Sequence, residues 1–251
     1  MNYEFSFAWL EKYWPFYVEG LINTLLLAAI TVAIGTLLGA LLALMRLSNN
    51  KLVKFIATAY IEFIRGTPLM VQVFLVHYGI SMVMGINLPI FFSGVASLSI
   101  NSAAYVAEIV RAGIQAVDAG QMEAARSLGM TKGLAMRKII MPQAVKNILP
   151  ALGNEFVIII KESSIVSVIG MGELMYKANT IMGNSFRVFE PLIVVSLVYF
   201  ALTFSLSKLL GRIEKRMGDG AADAGLGKGK KSNSKRIFGL GAQRDSQEAA
   251  Q

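Results

Sequence analysis

LINTLLLAAITVAIGTLLGALLALM, residues 21 to 45, runs for 25 residues without one charged side chain. A helix of about 20 apolar residues crosses the hydrocarbon core of a bilayer, so this stretch is long enough to span. Gly35 and Gly39 lie four apart on it, a small-xxx-small pair that marks a candidate helix-packing face, although glycine is frequent in such helices in any case. The rest of the chain has the same character. Apolar residues make up 55% of 251 and charged residues 16%, and mean hydropathy is +0.56, well above a soluble domain.

Composition excludes several chemistries. There is no cysteine and one histidine, His77, so neither a disulfide framework nor a thiolate or His-rich metal site is expected. His77, near the end of its apolar run, reads as an interface residue rather than a proton relay. The net charge of +8 lies in stretches beside apolar segments, which suits membrane topology rather than nucleic acid. The N-terminus has no basic lead into its first apolar run and no small-residue cleavage pattern, and reads as uncleaved.

Residues 1–20 mix Trp9, Tyr13, Trp14, Phe16 and Tyr17 with acids, as an external, interfacial segment would. After Leu52 to Arg65 the pattern breaks at Gly66-Thr67-Pro68. Thr67 as N-cap and Pro68 at the first helical position predict a helix to about Met84, so the second span is a long helix with a kink or break near Gly66. Pro89 to Val110 is a third span. Ile148 to about Gly170 is a fourth, with Pro150, Glu155, Lys161, Glu162 and three serines in it; such residues must face protein or a watery cavity. Pro191 to Leu210 is a fifth. Net charge is +3 in the first loop, +4 from Arg111 to Asn147 and +5 from Lys208 onward, against −2 at the N-terminus and 0 in the second and fourth loops. The expectation is an all-α integral membrane protein with five transmembrane helices, N-terminus outside and C-terminus cytoplasmic. Residues 218–251 read as a mobile basic tail. Lys208, Arg212, Lys215 and Arg216 suit anionic headgroups. Gly229-Lys230 lacks the first glycine, the Ser or Thr and the strand of a phosphate loop.

The long polar interval, residues 111–147, contains Glu123-Ala124-Ala125-Arg126-Ser127-Leu128-Gly129. Asp118 and Gln121 have capping-box spacing, and Gly129 stands where a helix wants a left-handed residue. A helix from about Ala119 to Leu128 follows, with Met122, Ala125 and Leu128 on the stripe it rests on. A helix this short is not stable alone. It needs a surface, which the local pattern leaves as either a protein groove or the bilayer interface.

The wider pattern carries a resemblance. Glu123-Ala124-Ala125, three residues, Gly129, nine residues, then Ile139 and Pro142, with Met141 in place of leucine, resembles the signature of the membrane subunit of a bacterial ABC importer. The flanking stretches around Arg65-Gly66-Thr67-Pro68, Asn101 to Ile109, Pro150 to Glu155 and Lys161 to Gly170 resemble the polar amino-acid uptake branch, the histidine, arginine and glutamine type. The resemblance covers about Pro15 to Met217, and it makes residues 21–217 the transmembrane domain.

The resemblance implies that the helix is a cytoplasmic coupling helix between spans 3 and 4. Glu123, Ala124, Ala125, Arg126, Gly129 and Pro142 would then serve ATPase coupling. It implies two ATPase subunits that bind ATP and Mg, a second permease subunit, identical or homologous, and an external amino-acid-binding protein, all at a bacterial inner or plasma membrane. This chain would hydrolyse nothing and carry no cofactor or metal. A polar or charged L-amino acid would enter by alternating access.

A zwitterion in a low-dielectric path needs donors and acceptors, and the candidates are Thr67, Gln72, Asn101, Tyr105, Glu155, Glu162, Ser163, Ser164, Ser167 and Glu173. Glu162 and Glu173 match acidic positions in basic amino-acid relatives. Glu62 and Arg65 also suit simple pairing, as do Glu108 and Arg111, and Glu155 and Lys161 suit subunit contact. The alternative is an ion-coupled secondary carrier with Glu108, Glu155, Glu162 and Lys161 as a charge relay. The spaced signature and the lack of an inverted repeat oppose it. An intramembrane hydrolase has no nucleophile arrangement to support it.

Overall fold

A computed structural model describes residues 5–223, with side chains to residue 215. The chain forms two units, Met1–Glu214 and Lys215–Gln251. The core lies in the first. Within the second, helix is described only as far as Asp223; the expected tail, residues 218–251, thus begins within helix, and its remainder from residue 224, with the Gly229-Lys230 pair, lies outside the described residues. The described residues contain helices and no strand.

Helix α1 (Leu10–Arg46) takes in the charge-free stretch and extends it back over the aromatic segment, through Pro15. Helix α2 (Lys51–Gly66) follows, capped by the Asn50 side chain on Leu52 and Val53 N–H. Helix α3 (Leu69–Met84) leaves it at a bend of 109° and contains a π-turn at Leu75–Gly79. Helix α4 (Ile90–Gln115), helix α5 (Ala119–Ser127) and the single turn α6 (Lys132–Ala135) come next. A second π-turn, Met136–Ile140, leads into α7 (Met141–Glu162), which a 3-10 segment, Ser163–Ile169, continues. Helices α8 (Leu174–Ser185) and α9 (Phe189–Asp223) complete the order.

Three helices among the described residues are long and apolar enough to cross a membrane, namely α1, α4 and α9 as far as Lys215; the bent α2–α3 pair raises this to four if it is one span. The interruption expected near Gly66 is a break of 109°. One expectation is corrected: Thr67 is extended (φ −117°, ψ 146°) and Pro68, not Thr67, is the N-cap of α3. Pre-proline sterics push Thr67 out of the helical region, and Pro68 has no N–H to continue the ladder. The fourth expected span is not among those candidates; its α-helix, α7, runs to Glu162 and the 3-10 segment carries on to Ile169, before Gly170 at φ +87°.

Helix α4 is the centre, with 67% of its apolar window buried against 28% for α1 and 11% for α9. The α1–α4 contact rests on the glycine pair. A Cβ on Gly39 would stand 2.6 Å from Val106 Cβ, and one on Gly35 2.9 Å from Ser102 Cβ, so only glycine permits this approach. Ala43, Ile61, Ile64, Ala104 and Ala107 bind α1, α2 and α4 at one end. Leu27, Val73, Leu98, Val166 and Ile169 gather α1, α3, α4 and the 3-10 segment further along.

Candidate functional site

Asp118 starts α5 by accepting the Gly120 N–H at 2.7 Å. At the other end Met130 N–H donates to Ala125 O at 3.1 Å and Gly129 N–H to Arg126 O at 3.0 Å, with Gly129 at φ +84°. This is a complete Schellman closure. Arg126 Nη1 adds a bond to Met130 O at 2.7 Å. Helix α5 rests on the Met136–Ile140 turn of its own loop, and Ala125 is its one buried residue. Leu128, expected beside Ala125, is instead 85% exposed. It is the C-cap, with ψ 8°, and the unwinding backbone turns its side chain off the resting stripe. Glu123, Ala124, Arg126 and Leu128 are all exposed, as is Pro142 in the first turn of α7. The result is a rigidly ended helix that presents a mixed apolar and polar face with little of its own chain on it.

The second group gathers at the α2–α3 break. Gln72 Nε2 donates to Ile64 O (2.7 Å), Thr67 O (3.1 Å) and Thr67 Oγ1 (2.9 Å), and Gln72 Oε1 accepts from Asn101 Nδ2 at 3.0 Å. Gln72 and Asn101 are both 4% exposed. Thr67 Oγ1 donates to Phe63 O at 3.0 Å. These side chains satisfy the carbonyls that the broken ladder leaves open, the condition for irregular backbone at membrane depth. Helix α3 packs on the Ser163–Ile169 segment, with Val73 against Val166 and Ile169 in one apolar cluster. Ser163 and Ser164 donate to the carbonyls of Ile160 and Lys161, both at 2.7 Å.

Glu155 is buried and accepts from Ser102 Oγ at 2.9 Å. Glu162 follows it by seven residues on the same face of α7 and is half-buried at the end of that helix. Tyr105 stands apart, under the Arg65 guanidinium at 5.6 Å.

Glu173 is the N-cap of α8, accepting from Met175 N–H at 2.8 Å and Tyr176 N–H at 2.7 Å, and from the Tyr199 hydroxyl at 2.9 Å. It is 0% exposed. Burial pushes its carboxyl above the usual range while these donors pull it back. The structure therefore gives it a capping role within this chain. The sequence carries a signal for that role, an acid directly before a helical run.

One grouping escapes sequence reasoning. Glu108 pairs with Arg111 as its spacing implies, but also with Arg46 on α1. A link across helices leaves no periodic trace.

A model of the family described as binding-protein-dependent transport system inner membrane component matches residues 35–219. The arginine transport system permease protein ArtQ of Bacillus subtilis is 41% identical over 217 residues, 86% of this chain and 98% of that one. A crystal structure of an amino acid ABC transporter with histidines is 54% identical, with TM-score 0.83, over 85% of this chain and all of that chain. The MetNI methionine ABC transporter, in an inward-facing conformation, is 19% identical with TM-score 0.68, over 80% of this chain and 95% of that one. At that identity it speaks for the fold alone.

Proposed function

The chain belongs to the family of binding-protein-dependent transport system inner membrane components and is the permease subunit of an amino-acid ABC importer; from that premise we propose that α5 is its coupling helix. Such permeases are the non-catalytic inner-membrane subunits, working with an ATPase and a substrate-binding protein. The observation that carries the proposal is the α5 helix itself, closed at both ends and exposed along Gln121, Ala124 and Leu128. Ala124 allows close approach, and Glu123 and Arg126 offer charge at the edges. In this reading the groove that receives it belongs to an ATPase subunit that binds ATP and Mg. Two permease subunits, identical or homologous, pair about a two-fold axis with two ATPases.

The basic loops favour a cytoplasmic α5 and an external N-terminus. Five crossings then require α2–α3 and α7 with its 3-10 continuation each to count as one. The substrate path runs past the α2–α3 break, where Thr67, Gln72 and Asn101 hold the backbone open, toward the Ser163–Ile169 segment and Glu162. Glu155 and Glu162 give this path an acidic side, suited to the ammonium of an L-amino acid and to a second positive charge where the substrate carries one.

The test is uptake of labelled amino acid by proteoliposomes that contain permease, ATPase and binding protein. Uptake is expected to require ATP inside and to survive dissipation of ion gradients. Uptake that persists without the ATPase and collapses with an ion gradient would overturn the reading and restore the carrier alternative.

A further inference from the structure

Each carboxylate oxygen of Glu108 engages a different arginine. Oε2 accepts from Arg111 Nε at 2.9 Å and Nη2 at 2.6 Å, on the same helix. Oε1 is ion-paired with Nη1 of Arg46, the last residue of α1. Arg111 Nη1 in turn donates to Gln115 Oε1 at 2.6 Å, at the final residue of α4. The Glu108 and Arg46 side chains are 17% and 20% exposed, so water screens this contact less than a surface pair. The strip Arg46–Glu108–Arg111–Gln115 lies beside the Ala43, Ile61 and Ala107 cluster and ends three residues before Asp118, the cap of α5.

We infer that Glu108 is a positioning residue: with Arg46 and Arg111 it clamps the root of the coupling loop, so that a push on α5 moves α1 and α4 as one body. The inference rests on the coupling role proposed for α5. A lever transmits displacement only if its mounting does not yield. On the α7 side the mounting is steric, since a Cβ on Gly113 would stand 2.4 Å from Ile148 Cγ1, with Asn147 Nδ2 donating to Gly113 O at 3.3 Å. On the α1 side it is this shared carboxylate. The Arg111 guanidinium reaches Oε2 through two N–H groups, which fixes direction as well as distance, and Arg46 adds a charge contact from α1. Removing the carboxylate's charge leaves two arginines held together with nothing between them, and repulsion replaces the tie.

The experiment uses the reconstituted transporter with its ATPase and binding protein, and reads ATP hydrolysed per amino acid imported in the same vesicles. Glu108→Gln is expected to raise that ratio about tenfold. Arg46→Met, which spares the Glu108–Arg111 pair, should raise it less. Arg46→Glu combined with Glu108→Arg should return it to within about twofold of wild type, because opposite charges again face one another. A merely structural role would reduce the amount of assembled complex and leave the ratio alone. An unchanged ratio in both single variants, or no recovery in the exchange, overturns the clamp. If Glu108→Gln does not assemble, Arg46→Met decides. Gly129→Val is measured alongside: if it also leaves the ratio unchanged, the coupling role of α5 fails. If it uncouples while the clamp variants do not, the clamp alone is refuted.

Discussion

Replacing Gly129 by valine is expected to cut amino-acid uptake by the assembled transporter about tenfold or more, while its ATPase continues to hydrolyse ATP. The reason is backbone conformation, not space. Gly129 sits at φ +84°, and nothing lies within 4 Å of the position a Cβ would take. A left-handed conformation costs an L-residue about 1–2 kcal/mol, and more for a β-branched one. Valine would therefore leave that region, breaking the Met130-to-Ala125 bond and redirecting the chain between α5 and α6. The face of α5 survives, but its angle to α7 does not. Gly129→Asn is the control, since asparagine tolerates positive φ, and it should retain most of the coupling. Uptake and phosphate release measured together decide between the outcomes. Equal coupling in the valine and asparagine variants would refute the role given to this turn.

Glu162→Gln is expected to lower uptake of a cationic amino acid about tenfold and to leave a neutral one within about twofold, a difference near 1.4 kcal/mol. Glu162 is half-buried, and none of the described hydrogen bonds occupies its carboxylate, in contrast to Glu155 on Ser102 and Glu173 on three donors. An attraction of a few kcal/mol at close range in a partly desolvated path, reduced by the water that still reaches the site, gives this magnitude. The measurement is competition between a neutral and a cationic substrate under one binding protein. Equal losses for both would make Glu162 a structural residue.

Features that depend on neighbours along the chain are legible in the amino-acid sequence. Asp118 and Gly129 bound α5 within one residue, because caps and left-handed closures are local chemistry. Gly35 and Gly39 mark the α1–α4 contact because close approach of helices requires small residues at helical spacing. Leu128 departs from the expected stripe because ideal periodicity does not describe a C-cap, where the helix is already unwinding. The N-cap of α3 falls one position after Thr67 because Pro68 both lacks an N–H and restricts its predecessor. The polar stretch from Glu155 to Ser167 stands out as unusual, but its division into α-helix, 3-10 helix and left-handed Gly170 does not, since hydropathy says nothing about hydrogen-bond pitch. A match to an acidic position of basic amino-acid relatives makes Glu173 a candidate substrate contact, while its place as the cap of α8, on Met175, Tyr176 and Tyr199, comes from the structure. The Arg46–Glu108 tie joins residues far apart in the chain and has no sequence signature at all.

The coupling role proposed for α5 puts that helix in a groove on an ATPase subunit. The chain has no cysteine of its own, so Ala124→Cys introduces a unique thiol on the exposed face of α5. A short thiol-to-amine cross-linker applied to the intact complex is expected to join this chain to the ATPase subunit in high yield. Cross-linking confined to lipid or to other permease chains, with the ATPase present and active, would overturn the coupling role of α5.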